Sequence, residues 1–362
     1  MIKSAIIILL TLIVVSSVLI FYQNRPNSCV PNCNGENLSS RDLREVDFRE
    51  ANLGKANLSR AILNGANLQF ADLRGANLRD SRLDGADLSG ANLTGADLRG
   101  ASLIGATMDG ADLSAANLIE AVLSRVNLSS VKFEGALFRQ ARLIGSNLSG
   151  AKLRGADFSQ ANLTGANLEA GQLSGSDFLQ AMLIGANLYQ ADLNGASLRQ
   201  ANLNSANLSQ ANLAGADLGF ATLVNANLRQ ADLRGAYLYQ ADLGGANLDL
   251  ARMSKTVLIE AELQGTILTG ADLSGAVLAG IGGEAQPEQF QVAHVNGVSL
   301  ARANLQSAYL AGATLRGVNL KWVNLSNAVL TDTVRVDRRD QTVTAVFLGV
   351  STNDQTVFPE PR

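Results

Sequence analysis

ADLRGANLRDSRLDGADLSGANLTGADLRG, residues 71–100, reads as six copies of one five-residue unit. Each copy is built on a leucine (Leu73, Leu78, Leu83, Leu88, Leu93, Leu98) with a small residue two places before it. A period of five fits neither the 3.6 of a helix nor the 2 of a strand. Working outward, the metre holds from Leu38 to Leu278. Every fifth residue there is Leu, Phe or Met, which gives (278 − 38)/5 + 1 = 49 consecutive units. Such a side chain always points inward only if the chain turns a corner in every unit, so four units make a square coil of 4 × 5 = 20 residues.

The unit A-[ND]-L-x-[GQ], as in Ala91-Asn92-Leu93-Thr94-Gly95 and Ala161-Asn162-Leu163-Thr164-Gly165, resembles the pentapeptide-repeat family. The resemblance covers about residues 37–333 and implies an all-β fold, a right-handed quadrilateral parallel β-helix. Spacing supports a coil of twenty. Phe138, Phe158 and Phe178 are set to stack, and Asn127, Asn147, Asn167, Asn187, Asn207, Asn227 and Asn247 form a column of amides. Gln140, Gln160, Gln180 and Gln200 form another. Glycine recurs every ten residues (Gly65, Gly75, Gly85, Gly95, Gly105), which suggests that alternate corners need positive φ.

Composition agrees with a narrow core. The 362 residues include 34 glycines and 5% aromatics, and Ala, Asn and Leu are in large excess. At about 4.8 Å per coil, twelve coils make a rod of roughly 60 Å. A second block, centred on Leu300 to Leu330, runs in a register shifted by two residues, with an extruded loop over about 279–288 between the blocks. Open ends of such a stack need caps. Cys29–Glu45 serves at one end. At the other, the tail 334–362, with strand-like Thr342–Leu348, reads as a cap and a homodimerisation edge.

Residues Ser4–Tyr22 form a run without a charge, inside an N-terminal segment 1–24. As a helix the run would span about 28 Å, close to a bilayer's hydrocarbon thickness. It extends past a possible cleavage point near Val15-Ser16-Ser17, which favours a transmembrane signal anchor over a cleaved signal peptide. Lys3 and Arg25 leave the positive-inside rule nearly tied. Cys29 and Cys33, in a linker over 25–36, read as a local disulfide in an exported segment and so place the repeats outside the cytoplasm. The expectation is a single-pass membrane protein with an extracytoplasmic rod.

Chemistry is sparse. Net charge is −3, there is one histidine (His294, beside the expected loop), and two cysteines cannot complete a zinc site. Carboxylates such as Asp157 and Asp177 would face each other between coils, but they share their slot with Asn, as a corner residue bonding the backbone would. No catalytic, cofactor or metal residue is assigned, and an enzyme is not expected. Sorting outward positions by residue number modulo twenty gives one face with Ile104, Ile144, Ile184 and Val224 beside Ile62, Val122 and Met182, a candidate docking stripe for an unknown protein partner. A second face mixes Arg79, Arg99, Arg139 and Arg199 with Asp97, Asp157, Asp177 and Asp217, so its charges largely cancel.

The leading reading is a non-enzymatic, membrane-tethered scaffold or protein-interaction rod. The resemblance also implies an alternative, since some family members mimic duplex DNA and bind DNA gyrase. That role needs an acidic face, and here arginines interleave with the acids. Binding to nucleic acid itself would need a concentrated basic patch, which the near-neutral balance does not suggest.

Overall fold

The structure, a computed structural model, describes residues 29–278 together with 304, 305, 308, 323–326 and 328. Parallel bridges join residues twenty apart, from Asn32↔Asn52 and Asn37↔Asn57 onward, so one turn of the solenoid takes four pentads. The four faces are called A to D here. Their ladder residues run from Asn32 (A), Asn37 (B), Asp42 (C) and Asp47 (D) in steps of twenty. A is opposite C, and B is opposite D.

Each pentad satisfies its backbone in the same way. The Leu53 N–H donates to the Asp72 carbonyl at 2.7 Å, and the Asp72 N–H donates back to the Ala51 carbonyl at 2.9 Å. The corner closes on itself, the Ala56 N–H donating to the Leu53 carbonyl at 3.0 Å. With φ of +55° at Lys55, this is the bond and dihedral pattern of a type II turn. The glycine reading needs correction on this point. Positive φ occurs at consecutive corners, not alternate ones, and Lys55, Gln140 and Phe220 adopt it as Gly65 and Gly75 do. A left-handed non-glycine residue costs about 1–2 kcal/mol, and the two ladder bonds made on either side of the corner offset it.

Inside, the core is two columns per face, leucine at the pentad centre and alanine two before it, nearly all of them inaccessible to solvent. Phe138, Phe158 and Phe178 stack with ring centroids 4.7 and 5.0 Å apart. Where a hydroxyl replaces alanine it bonds locally. Ser81 Oγ donates to the Leu78 carbonyl at 2.6 Å, and Thr266 Oγ1 reaches the Leu263 carbonyl at 2.7 Å. Buried polarity in that column therefore stays paired.

The ladder starts earlier than the 37–333 boundary read from the sequence. Cys33 is fully buried in a leucine position and donates its N–H to the Asn52 carbonyl at 2.7 Å. A disulfide joins it to Cys29, which packs on the end of the core. The coil that follows is dense in charge (Arg41, Asp42, Arg44, Glu45, Asp47, Arg49, Glu50), with all of these but Arg41 exposed, a composition that suits the end of a parallel stack. At the other end, Asp272 pairs with Asn304, a step of 304 − 272 = 32 residues, twelve more than a coil, and Asn304 pairs with Asn324 at the usual twenty. Face A therefore continues across the interruption. The loop expected over 279–288, His294, and the cap and dimerisation edge expected over 334–362 lie outside the described residues.

One coil departs from the pattern. Among the described residues, the bridge is missing between Thr107 and Asn127 on face D and between Lys132 and Lys152 on face A. The corner between these rungs, Ser130, lacks positive φ, and its Oγ takes the Gly110 N–H at 3.1 Å. Packing accounts for it. Val126 and Val131 fill alanine slots, and Phe133 meets Phe138 edge-on at 5.1 Å, so this level holds more side-chain volume than leucine and alanine would put there.

The membrane location is corrected. No helix among the described residues is long and apolar enough to cross a membrane. Segment 1–24, on which the anchor rested, lies outside them.

Candidate interaction surface

The outward residues of each pentad are the ladder residue and the two turn residues. The ladder slot holds Asn or Asp because its side-chain oxygen caps the turn, as when Asn162 Oδ1 accepts the Thr164 N–H at 3.1 Å. Asparagine has a second use. Its amide donates to the preceding coil, Asn147 to Asn127 at 3.0 Å, Asn167 to Asn147 at 3.2 Å, and so on through Asn227 to Asn207 at 3.2 Å. The glutamine column works at the corners, Gln140 to Gln160 at 2.9 Å and Gln180 to Gln200 at 2.8 Å.

Aspartate keeps the turn bond and gains an arginine. In the D-L-R pentads both charged side chains leave the same face, and Arg74 bonds Asp72 through Nε at 2.8 Å and Nη2 at 2.6 Å. Asp42–Arg44, Asp47–Arg49, Asp97–Arg99 and Asp232–Arg234 repeat the arrangement. The Arg99 guanidinium, together with the Arg99 backbone N–H, holds the Asp97 carboxyl below its usual range against the opposing effect of burial. These carboxylates are occupied as structural acceptors. Among the described residues, no group of three or more His, Cys, Asp or Glu could hold a metal ion.

The stripe read from the sequence lies on face C. Ile104 and Met182 are exposed, while Ile62, Val122, Ile144, Ile184 and Val224 are half-buried. Along the ladder, Ile62, Val122 and Met182 are three coils apart from one another, with Arg82, Arg142 and Asn162 among the residues between them. The structure does not bring the seven into one contiguous patch.

Face B carries an apolar cluster that sequence reading missed. Phe220 meets Tyr239 edge-on at 5.3 Å, and the Arg199 guanidinium lies 5.2 Å from the Phe220 ring centroid. Arg199 also reaches Asp217 at 3.5 Å. Tyr237, 55% exposed, stands in the same coil as Tyr239, and Val257 follows on the ladder. Burial, with Glu260 adding to it, pushes the Tyr239 phenol up. The signal was present in the sequence. Residues 220, 237 and 239 fall on one face modulo twenty, but in three different columns, so no single column shows them together.

Charge on face B is segregated along the rod, although its sum is small. From Asn37 to Gln140 the outward residues carry Arg60, Arg79, Arg99 and Arg139 against Asp80, Asp97 and Glu120, or 4 − 3 = +1. From Asp157 to Glu260 they carry Arg199 against Asp157, Asp177, Asp217 and Glu260, or 1 − 4 = −3. Asp157 and Asp177 occupy successive rungs.

Fold and surface define a repeat solenoid that presents flat outer faces. The chain belongs to the pentapeptide-repeat family: the profile described as pentapeptide repeats matches in eight copies, over residues 42–118, 121–275 and 296–332. Among solved structures it is similar to HetL of the cyanobacterium Nostoc sp. strain PCC 7120, a pentapeptide repeat protein involved in heterocyst differentiation regulation. Identity is 30% over 80% of this chain and 90% of HetL, with a TM-score of 0.15. A pentapeptide repeat protein of the Arabidopsis thaliana thylakoid lumen is 32% identical over 33% of this chain and 68% of its own, with a TM-score of 0.21. QnrB1, a plasmid-mediated fluoroquinolone resistance protein, is 19% identical over 67% of this chain and 91% of its own, with a TM-score of 0.24. At such TM-scores the superpositions carry no argument, and kinship rests on the repeats. A comparison with curated proteins finds no match.

Proposed function

We propose that this protein is a non-enzymatic protein-interaction rod whose recognition surface is face B. The exposed cluster of Phe220, Tyr237 and Tyr239 carries the reading. Large aromatics on a protein surface favour contact with a partner, since each contributes much apolar area at little conformational cost. On the other faces exposed apolar side chains such as Phe70, Ile104 and Leu250 also occur, but no aromatic pair or cation–ring contact joins them among the described residues, and their neighbours are mainly short polar or ion-paired side chains. The carboxylates support no catalytic role, being committed to turns and arginines. Those same pairs, with arginines interleaved along the ladders, weigh against the DNA-mimic alternative, which requires an uncompensated acidic face.

The test is a photo-crosslinking amino acid placed at Tyr239, at Val224 on face C, or at Asn187 on face D, in cells that make the protein. Partner adducts should form from position 239 and not from the other two. Adducts only from 224 or 187 would move the recognition surface elsewhere, and none at any position would remove the binding role.

A further inference from the structure

The net charge of −3 conceals an uneven distribution along the solenoid. Residues 29–120 carry nine cations against thirteen carboxylates, or 9 − 13 = −4, and residues 157–278 carry 5 − 11 = −6. Between them, residues 121–156 carry Arg125, Lys132, Arg139, Arg142, Lys152 and Arg154 against Glu134 alone, or 6 − 1 = +5. All six cations are exposed. From this band we infer that the middle of the solenoid is a second contact site, which takes an acidic and partly aliphatic segment of a partner protein. It is separate from the face B aromatic cluster, whose Tyr237 rung lies four coils beyond the Asp157 rung.

Ion pairing sets the band apart from the rest of the chain. Every described arginine outside it, except Arg41, lies within 4.0 Å of a carboxylate. Among the described residues, Arg125, Arg139, Arg142, Arg154 and Lys152 form no ion pair, and Lys132 reaches Asp112 at 3.8 Å. Glu134 shares face A with the lysines, and Glu120 and Asp157 lie on the face B coils to either side, but none of the three is paired with a cation of the band. On face C no outward position from Ser102 to Asn225 holds a carboxylate. A guanidinium left open in this way has the fork that grips a carboxylate through two bonds.

Placement selects the occupant. Lys132, Lys152 and Arg154 leave face A, Arg139 leaves face B, and Arg125 and Arg142 leave face C. A bilayer or a rigid duplex rests on one face at a time, whereas a flexible chain can follow the corners. A single strand of nucleic acid gains from aromatic rings on which its bases stack. The band's two phenylalanines, Phe133 and Phe138, are buried. Its exposed apolar side chain is instead Leu137, with Ile144 half-buried on face C. Aliphatic contacts with open cations round them match a polypeptide that mixes carboxylates with aliphatic side chains.

The solenoid tolerates the substitutions that test this. Glutamine already occupies the ladder slot at Gln172 and the first turn slot at Gln69 and Gln264. The full chain is titrated into a fluorescein-labelled peptide of glutamates interspersed with leucines, 3 × 5 = 15 residues long to match three faces of a coil. Fluorescence anisotropy should show saturable binding that 1 M salt abolishes. Arg142→Gln on face C and Arg154→Gln on face A should each weaken it about threefold, and together about tenfold, with the far-ultraviolet spectrum unchanged. Arg74→Gln, which removes an arginine bonded to Asp72, should leave it unaltered. No binding of the peptide, tighter binding of an oligothymidylate or of phosphatidylserine vesicles, or an effect confined to one of the two faces overturns the inference. None of these outcomes bears on adducts from position 239, so the face B reading stands or falls separately.

Discussion

Phe158→Ala removes the middle ring of a three-ring stack. Phe158 has no solvent exposure, and its neighbours lie 4.7 and 5.0 Å away with interplanar angles of 14° and 5°. Phe→Ala in a well-packed core costs about 3–5 kcal/mol, of which the cavity is a large part. Here collapse is restricted, because around Phe158 the backbone of faces B, C and D is fixed by ladder bonds above and below, and face A by those to Gln172. The upper half of that range is therefore expected. Phe158→Leu, which restores the residue found at most pentad centres, should cost about 1–2 kcal/mol, losing ring contacts but leaving a smaller void. Long repeat arrays depart from two-state unfolding, so a single melting temperature is the wrong readout. Hydrogen exchange resolved by coil is the right one. The amides of Phe138, Phe158 and Phe178 should lose protection by the full amount and those beyond two coils by little. A loss below about 1 kcal/mol at Phe158 would show that the ring is not packed as described.

Other expectations follow from the surface bonds. Asn187 accepts the Tyr189 N–H at 3.2 Å and donates to Asn167 at 3.0 Å, so Asn187→Asp keeps the turn, loses the donor and meets Glu169 as a like charge. It should destabilise by about 1 kcal/mol, and Asn187→Ala, which loses all of these bonds and the acceptor of the Asn207 amide, by about 1–2, as judged by denaturant unfolding. Asp42, Asp47, Asp72 and Asp97 all titrate below their ordinary value because arginines bond them. Their contribution is complete above the unfolded value of about 4 and is lost as pH falls through the lower folded values. The denaturant concentration that unfolds the coils carrying these pairs should therefore be flat from neutral pH to about 5 and decline below about 4, and 1 M salt should shrink that decline. Reducing the Cys29–Cys33 bond should speed exchange of the Cys33 amide, whose acceptor is the Asn52 carbonyl, while coils beyond Phe70 keep their protection. Loss of protection along the whole solenoid would show that the end coil nucleates the rest.

Most of this architecture was legible because one constraint repeats. A leucine every fifth residue fixes the inward register, and the spacing of Phe138, Phe158 and Phe178 fixes the coil length before any coordinate is seen. Cys33 lies outside a metre of Leu, Phe and Met, although a small buried half-cystine fills the end of the core equally well. Glycine misled at the corners. Its spacing marks where a side chain is missing, whereas the left-handed conformation is imposed by the ladder and accepted by Gln, Lys and Phe alike. The face B cluster was hidden for a geometric reason, since the corner residue Phe220 and the turn residue Tyr239 belong to different coils and touch only after the chain has wound round once. The irregular rungs at Asn127 and Lys132 were not legible at all. The metre is unbroken there, and only the summed volume of Val126, Val131 and Phe133 against their neighbours gives the defect.

That defect has a mechanical consequence. Each coil interface elsewhere in the main block is fastened on four faces, and the two interfaces flanking residues 127–146 each lack one fastening, on faces D and A in turn. In a stack coupled only between nearest neighbours, cooperativity is interrupted where the coupling is weakest. Pulled from its ends, the solenoid should yield first at that level and leave two blocks that rupture separately, the later one containing the Phe158–Phe178 pair. A filament of otherwise uniform stiffness would thus carry a set breaking point about two-fifths of the way along its ladder, placed there by three oversized core side chains.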